Sequence, residues 1–156
     1  MNTPQQLHDL LSGTGLTLST AESCTGGGIA ASIVSVSGAS EYFKGGVVSY
    51  CNEIKERVLG VNPHTIEECN VVSAEVATEM CLGVMQLMHT DYAIAITGCA
   101  GPGGGTPQIP VGTIWIAYGS PDDIHTHRIS HDHGRAENLR QATEKALSLL
   151  INLLKH

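Results

Sequence analysis

The chain has 156 residues, 42% of them apolar and only 4% aromatic, so the expectation is one compact domain with a core of Ala, Val, Ile and Leu. Its formal net charge is −7 with only eight Lys and Arg, which disfavours nucleic acid as a partner, because non-specific binding to phosphates needs a basic footprint. No apolar run reaches the ~20 residues of a membrane span, and the start MNTPQQLHDLL lacks the basic region of a signal peptide.

Cysteines 24, 51, 69, 81 and 99 are odd in number and contain no CxxC pair, so they read as reduced thiols of a cytoplasmic protein. Met1 and the short lead-in suggest a complete, free-standing chain.

In chain order, PQQLHDLLSG predicts a short helix with Leu7, Leu10 and Leu11 on one face. GLTLSTAES predicts a strand, and GGGIAASIVSVSG a helix that opens on glycine and closes near Gly38. GGVVSY is a second strand, followed by a short helix CNEIKERVLGV with Asn52 as N-cap. NPHTIEECNVV reads as connecting structure with a turn at Asn62–Pro63.

Ser73 then suits an N-cap and Glu75 a first turn. Val76, Ala77, Met80, Val84, Leu87 and Met88 fall at helical spacing behind them. DYAIAIT predicts a strand, GCAGPGGGTPQIP a loop, VGTIWIAYG a strand and IHTHRIS a last strand. A final helix carries the stripe Leu139, Ala142, Ala146, Leu147, Leu150 and Leu154. Strands alternating with helices predict an α/β layered sheet. The Gly-rich link without helical pattern makes its two flanking strands an antiparallel pair, hence a mixed sheet.

Four segments carry candidate chemistry. In TAESCTGGG a strand end feeds a helix N-terminus, where backbone N–H groups can hold an anion or oxyanion and a hydroxyl can be the nucleophile. The plainer alternative is that Ser23 and Thr25 only cap the helix. Cys24 is a neighbouring thiol, but the local geometry that aims Ser23 one way aims Cys24 another.

In SYCNEIK, Lys55 would sit at the third helical position. There the positive end of the helix dipole, and any burial, lower its pKa toward that of a general base. Tyr50 offers a phenol to the same space, and the alternative is an exposed surface lysine. The loop TGCAGPGGGTP can wrap a phosphate or ribose or be a plain connector, with Thr97 and Thr113 at its inner edges. His125 and His127 alternate on one strand face, as do His131 and His133 if the strand continues. Their spacing matches no standard zinc motif, so no metal is assigned.

TAESCTGG, GGVVSYCNEIK, VSAEVATEM, AIAITGCAGPGGG and PVGTIW occur in that order, and together they resemble the CinA C-terminal domain family. The resemblance runs from about Gln6 to Leu150. It implies a three-layer α/β/α sandwich with a mixed, mostly parallel sheet, a homodimer or higher homo-oligomer, and no cofactor. Enzymatic members of that family are nicotinamide-nucleotide amidases, so the implied reaction is hydrolysis of nicotinamide mononucleotide to nicotinate mononucleotide and ammonia.

By the same resemblance Ser23 is the nucleophile, Lys55 its base, and Tyr50 orients the pair or relays a proton. Glu22, Thr25, Gly26 and Gly27 would surround the reacting carboxamide, with the Thr25–Gly27 amides holding the oxyanion. Asn52, Thr97, Gly98, Ala100, Gly101 and Thr113 would bind the nucleotide, and Arg135 or Arg140 would pair with its phosphate.

Two departures stand out. Cys51 replaces a serine common in relatives, and the arginines of HGRAENLR are one residue further apart than in the G-D-R-x-x-V/I-R pattern. Two rivals remain at this level: a non-catalytic nucleotide-binding or competence-associated module of the same fold, and an amidase for another pyridine or purine amide.

Overall fold

Short runs of β-branched and small residues form five strands: β1 (Leu18–Glu22), β2 (Phe43–Val48), β3 (Tyr92–Gly98), β4 (Thr113–Ser120) and β5 (Asp123–Ser130). The computed structural model describes residues 3–156; Met1 and Asn2, on which the free-standing reading rests, lie outside the described residues. The strands hydrogen-bond in the order β2-β1-β3-β4-β5. β1 is parallel to β2 and β3, and β4 is antiparallel to β3 and β5. Four of the five strands therefore point one way, and the Gly-rich connection does join an antiparallel pair.

Helices cover both faces. α1 (Thr3–Leu11), α2 (Gly28–Val34) and α6 (Arg135–Lys155) bury Leu7, Leu11, Ile29, Ile33, Leu147 and Leu150 against Leu18, Ile94, Ile96, Ile114 and Ile116. On the other face α5 (Ala74–Met88) packs Val76, Met80, Cys81 and Val84 over Ala21, Ala93, Ala95 and Ala117. The sandwich is thus three-layered, with alanines on one sheet face letting α5 sit close. Among the described residues no helix is long and apolar enough to cross a membrane.

Three local expectations are corrected. Residues 62–69 are not mere connection: Pro63–Cys69 form helix α4, with Asn62 Oδ1 accepting from His64 N at 2.9 Å. This helix buries no residue, so it has no apolar stripe to betray it; its signal was Asn at the cap and Pro in the first turn. Helix α3 (Asn52–Arg57) is capped by Cys51 rather than Asn52, which places Lys55 fourth and not third in the helix. β5 ends at Ser130, so His131 and His133 do not continue its alternation. A short 3-10 turn at Ala39–Glu41 had no counterpart in the sequence reading.

One packing constraint can be tested directly. α5 crosses the chain so closely at Gly83 that an added Cβ would overlap the Leu59 carbonyl oxygen. Gly83→Ala is expected to lower unfolding free energy by about 1–3 kcal/mol despite the better helix propensity of alanine. Gly103→Ala, where a Cβ meets nothing within 4 Å, leaves the denaturant midpoint in place.

Candidate active site

The order β2-β1-β3 places a topological switch point at β1, and crevices form there beyond the carboxyl ends of the strands. At that end strand alternation sends Glu22 and Ser23 to opposite faces of the sheet. Ser23 stays in register, its N–H donating to Ile96 O at 3.1 Å. Gly26 (φ 60°) and Gly27 (φ 105°) then turn the chain through two successive left-handed residues into α2, a conformation that glycine adopts without steric cost.

Glu22 is 1% exposed and does not face the cleft. Its carboxylate accepts from Thr25 Oγ1 at 2.6 Å, Ile29 N at 2.8 Å and Ala30 N at 2.9 Å. The anion-binding end of α2 is therefore filled by the protein's own carboxylate, and Glu22 and Thr25 serve the helix rather than a ligand. Gly26 N donates to Ser23 O and is also taken. The amides of Thr25 and Gly27 have no hydrogen-bond acceptor among the described residues, whereas the Cys24 amide is turned to its own thiol.

On the other face Lys55 is 1% exposed, with Nζ 2.9 Å from Ser23 Oγ and 2.7 Å from Ser49 O. Ser49 N in turn donates to Glu22 O at 2.7 Å, so the strand that carries Ser23 also fixes the carbonyl that holds the amine. Among the described residues no carboxylate pairs with Lys55. Burial lowers its pKa from the ordinary lysine value, and the neighbouring Cys51 and Cys24 only partly oppose the shift. Of the two causes expected from the sequence, burial is the one the structure shows. Burial also pushes the Cys24 thiol up to about 12, so it stays protonated beside Ser23 and is no thiolate.

These groups open onto a cleft of about 330 Å³, within the usual size of small-molecule sites. Tyr50, Asn52, Thr97, Gly98, Ala100, Gly101 and Arg135 line it with Ser23, Cys24 and Lys55. Tyr50 is 63% exposed at the mouth and its hydroxyl accepts from Arg135 Nη2 at 3.2 Å. No hydrogen bond joins it to Ser23 or Lys55 in this structure. Arg135 Nη1 also donates to Gly101 O at 2.7 Å, which sets the guanidinium across the cleft rim.

Other expected residues lie off the cleft or have their side chains engaged elsewhere. Thr97 lines the cleft, but its hydroxyl donates to Val71 O. Thr113 donates to Pro110 O and is not part of the cleft wall; Gly26 and Gly27 shape the turn behind it. Arg140 is exposed on α6 and paired with Glu137, whose carboxyl this pair holds down to about 2. Of the two arginines, the structure brings only Arg135 to the cleft.

His125 stacks on Tyr118 and lies 2.9 Å from Asp123 Oδ1, on an exposed edge strand away from the site. Sequence reasoning missed Ser49, whose contribution is a backbone carbonyl and carries no residue-type signal. It also missed Asn138, a polar residue at a core position of an otherwise apolar stripe.

Over residues 2–154 the chain matches the family described as the CinA C-terminal domain. A CinA-like protein of Synechocystis is 48% identical over 118 residues, covering 76% of this chain and 28% of that protein. A CinA-like protein of Thermosipho melanesiensis is 45% identical over 142 residues, covering 90% of this chain and 35% of that protein. The chain spans about a third of the length of the curated relatives it matches. Among solved structures, the competence damage-inducible protein A of Klebsiella pneumoniae superposes with a TM-score of 0.95 at 33% identity, covering 99% of this chain and 96% of that one.

Two stability measurements separate the roles of the buried charges. With Lys55 lowered in the folded state, the unfolded chain binds more protons between that lowered pKa and 10.5, so stability rises with pH across this window. Lys55→Met removes that rise, and its thermal midpoint at neutral pH equals or exceeds wild type. Glu22→Ala, in contrast, strips the α2 amides of their acceptor and lowers unfolding free energy by about 1–2 kcal/mol. A Glu22→Ala variant as stable as wild type would return that carboxylate to the ligand.

Proposed function

The chain belongs to the CinA C-terminal domain family, and on that premise we propose that it is a nicotinamide-nucleotide amidase. It hydrolyses the carboxamide of nicotinamide mononucleotide to nicotinate mononucleotide and ammonia. The observation that carries the reading is the 2.9 Å contact of a buried Lys55 amine, lacking a carboxylate partner among the described residues, with Ser23 Oγ. A structural lysine in such a place would be expected to hold a carboxylate; a base holds the hydroxyl it deprotonates.

In the reaction, neutral Lys55 takes the Ser23 proton as Oγ bonds to the carboxamide carbon. The oxyanion is held by the amides of the turn after Ser23, with Thr25 and Gly27 as the free donors. The Lys55 ammonium returns its proton to the amide nitrogen as the C–N bond breaks, and ammonia leaves. Water then adds to the acyl ester, giving its proton to Lys55, and the Ser23–carbon bond breaks with the proton returned to Oγ. Ser49 O accepts one Lys55 N–H throughout, which keeps the amine lone pair facing Ser23.

The phosphate belongs at the other end, beside Arg135. Tyr50, expected from the resemblance to orient the Ser23–Lys55 pair or relay a proton, is instead a partner of the anion-binding guanidinium through its hydrogen bond to Arg135. The reading keeps the homodimer that the resemblance implies.

Purified protein in chelator-containing buffer should release ammonia from nicotinamide mononucleotide. Ser23→Ala should lose at least ~100-fold in kcat while still binding nicotinate mononucleotide in a calorimetric titration. kcat/KM should climb with pH through the lowered Lys55 pKa, since the base must be neutral. A folded wild type that binds the nucleotide but releases no ammonia would favour a binding module instead.

A further inference from the structure

The apolar stripe of α6 is interrupted by one buried amide. Asn138 is 2% exposed, one turn past the N-terminus of the helix. Its Nδ2 donates to Ala100 O at 3.0 Å and to Asp132 Oδ1 at 3.0 Å, while its Oδ1 accepts from His133 N at 2.8 Å. One planar group thus ties together the loop leaving β3, the turn leaving β5, and α6. Asp132 is fixed from a second side by Gly134 N at 3.0 Å, and these two hydrogen bonds hold its carboxyl below the usual range.

The consequence falls on the cleft. Ala100 and Gly101 form its wall, and Gly101 O is the acceptor that anchors Arg135. Arg135 is itself the first residue of α6, three before Asn138. Both ends of the Arg135–Gly101 contact therefore hang on Asn138: the carbonyl through Ala100, the guanidinium through the helix start. Only a side chain with both a donor and an acceptor satisfies the Ala100 carbonyl and the His133 amide at once. An apolar residue of similar size would leave both unpaired, the Ala100 carbonyl in a buried place.

We infer that Asn138 is a positioning residue that sets the anion-binding end of the cleft, holding Arg135 against Gly101 without touching substrate or the Ser23–Lys55 pair. This rests on the amidase reading for its substrate, but not for its geometry.

The variants are Asn138→Leu, which removes every hydrogen bond, and Asn138→Asp, which keeps the acceptor and loses the donor. The kinetic expectation for both is a KM for nicotinamide mononucleotide raised roughly 10-fold with kcat within about 3-fold of wild type. Nicotinate mononucleotide should bind correspondingly more weakly. A merely structural asparagine would lower the thermal midpoint and the active fraction, hence apparent kcat, and leave KM alone; that result overturns the inference.

Hydrogen–deuterium exchange provides the arm that does not depend on turnover. In either variant the amides of residues 99–104 should exchange faster while those of β1 and α3 do not. Unchanged exchange in 99–104 also overturns it. A wild type without amidase activity, joined to faster 99–104 exchange in the variants, would sink the amidase reading and leave the positioning role standing.

Discussion

An amine shut away from water at the end of three parallel strands is the constraint around which the site is built. Lys55 is 1% exposed and meets a hydroxyl and a carbonyl, neither of which compensates a full positive charge. An ammonium there bears the cost of desolvation without a counter-ion, so the fold favours the neutral amine. Such a group weakens the protein below the ordinary lysine pKa and contributes little packing that a methionine could not supply. On the proposed reading, what it contributes is a base already in contact with the hydroxyl that the β1 turn presents to the cleft. Burial, the Ser49 carbonyl and the register of Ser23 with Ile96 all converge on that contact.

The alternation of β1 separates two tasks that the sequence runs together in the dipeptide Glu22–Ser23. Glu22 turns to the α2 face and neutralises the helix N-terminus; Ser23 turns to the α3 face and meets Lys55. A phosphate consequently has no helix end to bind at this turn, and on the proposed reading anion binding falls to the opposite rim, to Arg135 held by Gly101 and Tyr50. With a formal net charge of −7, the protein offers an anionic nucleotide no long-range attraction. On that reading recognition comes from these local donors, and their seating matters more here than in a basic protein.

Much of the fold was legible because burial leaves periodic traces. α5 and α6 showed their stripes, β1 and β3 their short β-branched runs, and the helix-free Gly-rich link announced an antiparallel pair. What escaped had no apolar signature: α4 buries no side chain, and the Ala39–Glu41 turn is three residues long. The nucleophile and base candidates could be picked out since hydroxyls, glycines and a lysine near helix starts have specific chemistry. Their mutual distance came only from the sheet order, and the sequence named burial as a cause of a lowered lysine pKa without showing that Lys55 is buried. Thr113 and Arg140 were plausible by position along the chain, but hydrogen bonds to Pro110 O and Glu137 take them away from the cleft. Ser49 and Asn138 were invisible because one acts through its backbone and the other looks like a flaw in an amphipathic stripe.

The most direct measurement is the titration of the Lys55 Nζ itself, by NMR of protein with isotopically labelled lysine, using Lys55→Met to assign the signal. The expected result is a Lys55 midpoint clearly below 10.5 in wild type. A Lys55 midpoint at 10.5 or above would mean the amine is charged at working pH, and it would remove the base from the proposed reaction.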